Sequence, residues 1–297
     1  MRNSGADICA ETAHAKINLA LHVTDQRADG YHDLDSLVAF AASGDRITAI
    51  NAETVSLTLR GPGAAKLPSD SDNSVLVAAQ ALSDHAQING LDRICAGANL
   101  VLEKNLPVAA GIGGGSADAA ATLRALNRLW GLNLAHDVLE RIGARLGADV
   151  AVCVGRQTCR MTGIGEQLAP LAEQHMPRLD LVLVNPGVPV ATPTVFQNLE
   201  NPHQSILPPL PDQHDFQSWL DWLDGTRNDL FEPACKICPQ IGDVISELSR
   251  TGARLSRMSG SGASCFGIFE SPDDAESAAT AVKKLHPDWW ICATHTV

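Results

Sequence analysis

Four glycines within five residues, set directly ahead of an alanine-rich stretch, constrain this chain more than any other feature. The run is Leu106-Pro107-Val108-Ala109-Ala110-Gly111-Ile112-Gly113-Gly114-Gly115-Ser116-Ala117-Asp118. Glycine takes backbone dihedrals closed to other residues and lets the main chain come close to a ligand. Successive backbone N–H groups in such a turn form a concave anion site, and a helix starting behind it adds the positive end of its dipole. A phosphate chain is the simplest ligand for that arrangement. The same glycines also suit a turn that only joins a strand to a tightly packed helix.

The common phosphate and serine signatures do not account for the run. A Walker loop would place Gly-Lys-Ser/Thr after Gly111 and four spacers, where the chain has Ser116 and no lysine. A dinucleotide fingerprint or a protein-kinase glycine loop needs Gly-x-Gly-x-x-Gly, and Gly111-x-Gly113-x-x ends on Ser116. Met258-Ser259-Gly260-Ser261-Gly262 lacks the first glycine of a Gly-x-Ser-x-Gly nucleophile elbow.

At 297 residues the chain has material for two domains or one large one. Its formal net charge of −12 argues against a nucleic-acid partner and against attraction to an anionic membrane, so an anionic substrate needs a local positive field. No apolar run is long enough for a transmembrane helix, and Met1–Thr12 has neither an apolar signal core nor an Arg-rich transit pattern. These features point to a cytoplasmic protein. Of eight cysteines, only Cys235-x-x-Cys238 suggests a site. Zinc would want a second pair at similar spacing and a redox role a strand–loop–helix setting, so buried or idle thiols are expected.

The first 60 residues read mainly as strands, with Ala15–Val23, a turn at Arg27–Gly30, and a β-rich stretch from Ile47 to Leu59. Helices are expected over Val75–Leu82, Ala117–Trp130 with Gly131 as its stop, and Ala135–Leu146 before Gly147. Ile94–Leu102 reads as the strand feeding the glycine loop. Later come a buried strand at Leu181–Val184, an irregular or partly helical insertion at 201–227, and a helix at Ile241–Arg250. Strands then follow at Arg254–Met258 and Cys265–Phe269, a helix at Pro272–Leu285 and a strand at Trp289–Thr296. The pattern is α+β. A boundary near Ala172–Arg178 divides the chain into 1–172 and 173–297.

Three segments taken in order resemble the GHMP small-molecule kinases. Ala15-Lys16-Ile17-Asn18-Leu19 with Asp29-Gly30-Tyr31-His32-Asp33 matches the family's N-terminal signature, Pro107–Ala120 its phosphate loop, and Met258–Ala263 its C-terminal glycine motif. The resemblance spans nearly the whole chain. It implies a ribosomal-S5-like N-terminal domain that binds ATP and a ferredoxin-like C-terminal domain that completes the substrate cleft. Mg2+-ATP would be the phosphoryl donor. The Lys-Ile-Asn-Leu and Asp-Gly-Tyr-His segments are similar to the branch whose acceptor is a cytidine diphosphate derivative of methylerythritol. That branch phosphorylates the tertiary 2-hydroxyl in isoprenoid precursor biosynthesis by the methylerythritol phosphate pathway. A monomer or weak homodimer is expected.

By the same resemblance, Lys16 and Asp149 are the catalytic pair, Asp149 accepting or orienting the hydroxyl proton and Lys16 holding the carboxylate ionised. Phosphoryl transfer asks for such positioning and charge stabilisation. Pro107, Val108, Ala109, Ala110, Gly111, Ile112, Gly113, Gly114, Gly115, Ser116 and Ala117 would wrap the nucleotide, with Ser116 reaching phosphate or metal. Ala109-Ala110 and Ile112 stand where glycine and leucine are frequent in the family. Asn73 and Lys104 match positions lining the nucleotide site. Tyr31 and Phe196 would sandwich the cytosine, His32 would read its edge, and Asn18, Thr192 and Gly260 would face the substrate.

Taken singly these residues have plainer readings: Asp149 as a turn residue, Lys16 and Lys104 as solvated lysines, Asn73 as a helix cap, and Gly260–Ala263 as a bare turn. The rival functions are another GHMP kinase acting on mevalonate, homoserine or a sugar, and a non-catalytic sensor on the same fold. Tyr31-His32 with Phe196 argues against the first, and retention of Lys16 and Asp149 against the second.

Overall fold

The structure, a computed structural model, describes residues 8–91, 97–108, 110–172 and 175–297. Two long strands, β1 (Ile8–Gln26) and β2 (His32–Asn51), pair with each other. Each passes from one compact unit of the chain into a second. The first unit comprises residues up to Ala15, Gly44–Val108 and Gly113–Arg156; the second comprises Lys16–Ser43, a loop segment ending at Ile112, and Gln157–Val297. The expected division at residue 172 is sequential, whereas these units interleave because β1 and β2 serve both. Glu173 and Gln174, within the expected boundary, lie outside the described residues.

In the first unit the C-terminal part of β2 pairs antiparallel with β4 (Ala98–Glu103), Ile47 opposite Leu102. β4 pairs parallel with β3 (Ser56–Arg60), so the β-rich stretch of 47–59 is two strands. The expected strand start at Ile94 lies outside the described residues. Helix α1 (Ser74–Ile88) and helix α4 (Ala148–Gly155) both pack on α2 (Gly114–Leu129), and α3 (His136–Leu146) packs on α4. α2 is buried almost all round, which its alanines permit. Its buried Arg124 donates from Nε to Glu11 Oε2 at 3.0 Å and from a terminal nitrogen to the Cys153 carbonyl at 2.8 Å.

In the second unit the N-terminal part of β2 pairs with β5 (Cys159–Gly163), and β5 with β6 (Gln167–Pro170). A separate antiparallel sheet runs β10 (Trp290–His295), β7 (Asp180–Asn185), β9 (Cys265–Phe269), β8 (Leu255–Met258). Helix α8 (Gln240–Arg250) precedes β8 and helix α9 (Pro272–Leu285) joins β9 to β10; both pack on this sheet. The resulting β-α-β-β-α-β order is ferredoxin-like. Three further helices, α5 (Thr192–Gln197), α6 (Phe216–Asp224) and α7 (Phe231–Ile237), lie between β7 and α8. Val182, Val184, Val244, Leu248, Cys265 and Phe269 share its core. Burial raises the thiol pKa of both Cys235 and Cys238. Among the described residues, no helix is long and apolar enough to cross a membrane.

The insertion is irregular over 201–215 and helical at α6, and side chains strap its irregular part to β1 and β2. Asp35 on β2 accepts both Arg160 Nε and Nη2, at 2.7 and 2.6 Å, together with the Leu207 N–H at 2.9 Å. His22 Nδ1 donates to the Ser205 carbonyl at 2.8 Å while its Nε2 accepts the Arg227 N–H at 3.2 Å, which fixes a neutral tautomer. Gln204 N–H adds a bond to the Val23 carbonyl. Removing the carboxylate in Asp35→Ala strands the Arg160 guanidinium and should cost about 3 kcal/mol, the low end for a broken buried pair because Arg160 keeps some solvent. Limited proteolysis should then cut faster within 201–215; an unchanged cleavage rate there would show that the strap does not depend on this pair.

Candidate functional site

The glycine run divides between the two units, and each unit anchors its own share. In the first, Gly113 has φ +67° and caps α2, and the Ala117 N–H returns to its carbonyl at 2.7 Å. Gly114, Gly115 and Ser116 form the first turn of α2, where N–H groups have no intrahelical acceptor and point out of the helix end. That is the geometry of an anion site. Pro107 and Val108, half-buried, lead into it. Ala109 lies outside the described residues.

Asn73 is buried and caps α1, its Oδ1 accepting the Val75 N–H at 3.0 Å and its Nδ2 donating to the Pro68 carbonyl at 2.7 Å. It therefore does serve as a helix cap. Lys104 is not a solvated lysine. Its side chain is buried, with Nζ 2.5 Å from Asp45 Oδ2 and 2.7 Å from Asp118 Oδ2. Burial works against the ammonium charge, but the two carboxylates outweigh it and raise the Lys104 pKa. Burial pushes the Asp118 carboxyl up to about 7, with Lys104 pulling it down and Asp45 pushing it further up. Asp149 stands half-buried in the first turn of α4, immediately after Gly147. The sequence shows no separate helix there because a short apolar run such as Val150–Val154 has no decisive period.

In the second unit, the segment Ala110–Ile112 lies against the Met258–Ser264 turn. Ser264 N–H donates to the Ala110 carbonyl at 3.1 Å, and Ser259 Oγ to the Gly111 carbonyl at 3.3 Å. Lys16, almost fully buried on β1, donates its backbone N–H to the Ile112 carbonyl at 3.0 Å. Asn18 follows on the same strand. Its N–H reaches Ser259 Oγ at 3.0 Å and its Nδ2 reaches Ser36 Oγ at 2.8 Å. Gly260 has φ +55°, and a Cβ there would lie 2.9 Å from the Gly111 carbonyl oxygen. The Gly260 carbonyl accepts from Asn228 Nδ2 at 2.9 Å. Thr192 and Ser261 share a hydroxyl hydrogen bond of 2.7 Å. Lys16, Asn18, Gly260 and Thr192 are thus drawn to one loop cluster.

Of the three rings expected around the base, two meet directly. The ring stacked on Phe196 is that of His32, with centroids 4.9 Å apart and planes at 26°. Tyr31 projects into solvent, 61% exposed, after the turn that Gly30 makes at φ +89°. Adjacent residues on an extended segment point to opposite sides, so the strand that brings His32 to Phe196 turns Tyr31 away. Burial lowers the His32 pKa, which leaves a neutral imidazole at pH 7 that stacks without a charge to desolvate.

Comparison with known proteins agrees with this architecture. The family profile for the GHMP kinases N terminal domain matches residues 73–156, and that for the GHMP kinases C terminal matches 209–288. A protein of Parvibaculum lavamentivorans named 4-diphosphocytidyl-2-C-methyl-D-erythritol kinase is 48% identical over 286 residues, 95% of this chain and 96% of its own length. The chain belongs to the GHMP kinases. A crystal structure of 4-(cytidine 5'-diphospho)-2C-methyl-D-erythritol kinase superposes with a TM-score of 0.75 at 32% identity, covering 97% of this chain and 99% of that one. Homoserine kinase from Cytophaga hutchinsonii shares the fold, with a TM-score of 0.65 at 19% identity over 100% and 96% of the two chains. The GHMP fold by itself therefore does not choose the acceptor.

Residues absent from the sequence reading complete this GHMP site. Ser259 was legible within its glycine motif. Asp45 was not, because its partner Lys104 is 59 residues away and no local pattern joins them. A cavity of about 560 Å3 in the second unit, lined by Asn201, Asn228, Glu232, Lys236 and Arg257 among others, contains none of the expected site residues.

Gly111 has little room to change. Its φ is +71°, and a Cβ would fall 2.9 Å from the Ser259 carbonyl oxygen and closer still to that of Gly262. Gly111→Ala should lower stability by about 1–3 kcal/mol through backbone strain alone, with the clash in addition. It should also abolish ATP binding by calorimetry. A variant that binds ATP normally would show that the loop tolerates displacement from the turn.

Proposed function

We propose that this GHMP kinase transfers the γ-phosphoryl group of ATP to the 2-hydroxyl of 4-diphosphocytidyl-2-C-methyl-D-erythritol, a step of isoprenoid precursor synthesis. The observation that supports this acceptor most directly is the His32–Phe196 stack. A neutral imidazole against a phenyl ring offers a flat platform and ring nitrogens beside it, which suits a pyrimidine base and has no use for homoserine, mevalonate or a simple sugar. Tyr31, exposed on the adjoining turn, is available to cover a second face of the base.

In this reading the acceptor oxygen attacks the γ-phosphorus, the bond to the β–γ bridging oxygen breaks, and ADP leaves. Asp149 takes or orients the hydroxyl proton, and the Lys16 ammonium offsets negative charge around the acceptor oxygen. The amides of Gly113–Ser116 hold the phosphates. Ser116 offers a hydroxyl at the same helix end and no carboxylate, a donor set that suits Mg2+ arriving on the nucleotide rather than a resident ion. When bound, Mg2+ would neutralise phosphate charge.

ADP release across a panel of 4-diphosphocytidyl-2-C-methyl-D-erythritol, mevalonate, homoserine and galactose tests the acceptor. Turnover is expected with the cytidyl compound alone; turnover with another acceptor would discard the base platform, and silence across the panel with ATP still bound would favour a sensor. Phe196→Ala should raise KM for the cytidyl acceptor about tenfold or more, the worth of one lost base stack, with KM for ATP unchanged. Asp149→Asn should abolish turnover and keep ATP affinity, and near-normal turnover in that variant would remove Asp149 from the chemistry.

A further inference from the structure

The Lys104 cluster joins the two ends of the phosphate loop within the first unit. Lys104 follows the last residue of β4, and Asp118 lies in the opening turns of α2. The ammonium bridges them, and its second partner, Asp45, is equally buried. Asp45 also uses its other oxygen, Oδ1, to accept the N–H groups of Asn105 at 2.6 Å and Leu106 at 2.8 Å, the residues that lead into the loop. Gly61 and Gly63 wrap the lysine so closely that a Cβ on either would come within 2.7 Å of it. A Cβ on Gly114 would approach Nζ to 3.1 Å. The ammonium therefore lies beneath the loop's first helical turn.

One cation with two carboxylates is a costly core. Well-packed apolar side chains of similar volume are often as stable or more so. Asp118 Oδ1 moreover has no hydrogen-bond partner. What the cluster supplies is fixed spacing between the strand end entering the loop and the helix leaving it.

We infer that Asp45, Lys104 and Asp118 are positioning residues that set the Gly113–Ser116 amides at the spacing a nucleoside triphosphate needs. Lys104 then acts through the loop rather than by touching the nucleotide. The inference rests on the reading above that this loop holds the phosphates of ATP.

Calorimetric titration of Mg2+-ATP and of adenosine into the full-length protein separates these roles. In Asp118→Asn, which keeps the side-chain shape, affinity for Mg2+-ATP should fall about tenfold, with adenosine affinity and acceptor KM within about twofold of wild type. The paired variant Lys104→Met/Asp118→Leu should recover part of the thermal stability lost by Lys104→Met alone, Asp45 still lacking its cation, but not the ATP affinity. ATP affinity unchanged in Asp118→Asn, or equal losses for ATP and adenosine, would overturn the positioning role. Recovery of ATP affinity along with stability in the paired variant would also overturn it. Wild-type protein that fails to bind Mg2+-ATP would instead overturn the reading of the loop, and the inference with it.

Discussion

Main chain meets main chain where the loop at Gly111 crosses the turn at Ser259–Gly262, and no side chain fits between them. The Gly111 carbonyl is held by Ser259 Oγ, and Gly260 and Gly262 both adopt positive φ to let the loop in. Ser259 Oγ also accepts the Asn18 N–H, so β1 is registered against the same turn. Asn18 Nδ2 donates to Ser36 Oγ, which in turn donates to the Ala20 carbonyl, and this carries the register on to β2. A single backbone approach thus fixes the strand that carries Lys16, the strand that starts at His32, and the turn that carries Ser261. A Cβ on Gly111 meets two backbone carbonyl oxygens at once, and these cannot swing aside as a flexible side chain can.

A net charge of −12 leaves any attraction for phosphate to local groups. Lys104 contributes little positive field, since two carboxylates already surround it and the trio is at most neutral. The local positive field the fold supplies at the glycine run is that of the amides at the start of α2 and the dipole behind them. Fixed dipoles need no reorganisation when the nucleotide arrives, which suits a reaction that depends on positioning and charge stabilisation. Their weakness is geometric, because amides act only at hydrogen-bond range.

Elements with strong local signals were legible in the sequence. Helix α9 runs over the expected Pro272–Leu285, with Ser271 as cap, acidic residues in its first turn and lysines in its last. Strand β7 is a buried apolar run, and α2 stops one residue short of its expected end. The glycine motifs and their order carried the family. Long-range features were not legible. β2 begins at His32 rather than Ile47 because its early residues alternate poorly, and pairing with β5 holds them extended. Lys104 reads as solvated until Asp45 is brought to it, and the His32–Phe196 stack joins rings from β2 and α5, which no local pattern connects.

Fold and acceptor choice lie on different features of the molecule. The fold recurs in a homoserine kinase at 19% identity, so the fold by itself cannot select a cytidyl group. Under the proposed reading, selection falls to side chains such as His32 and Phe196. They sit at the start of β2 and on the short α5, outside the backbone-on-backbone contact that fixes the loop. A residue there can change without disturbing Gly111. Within the second unit, then, the Gly111 crossing is locked by the main chain, while the His32–Phe196 stack is built from replaceable rings. That separation lets one scaffold keep its donor chemistry while acceptors change.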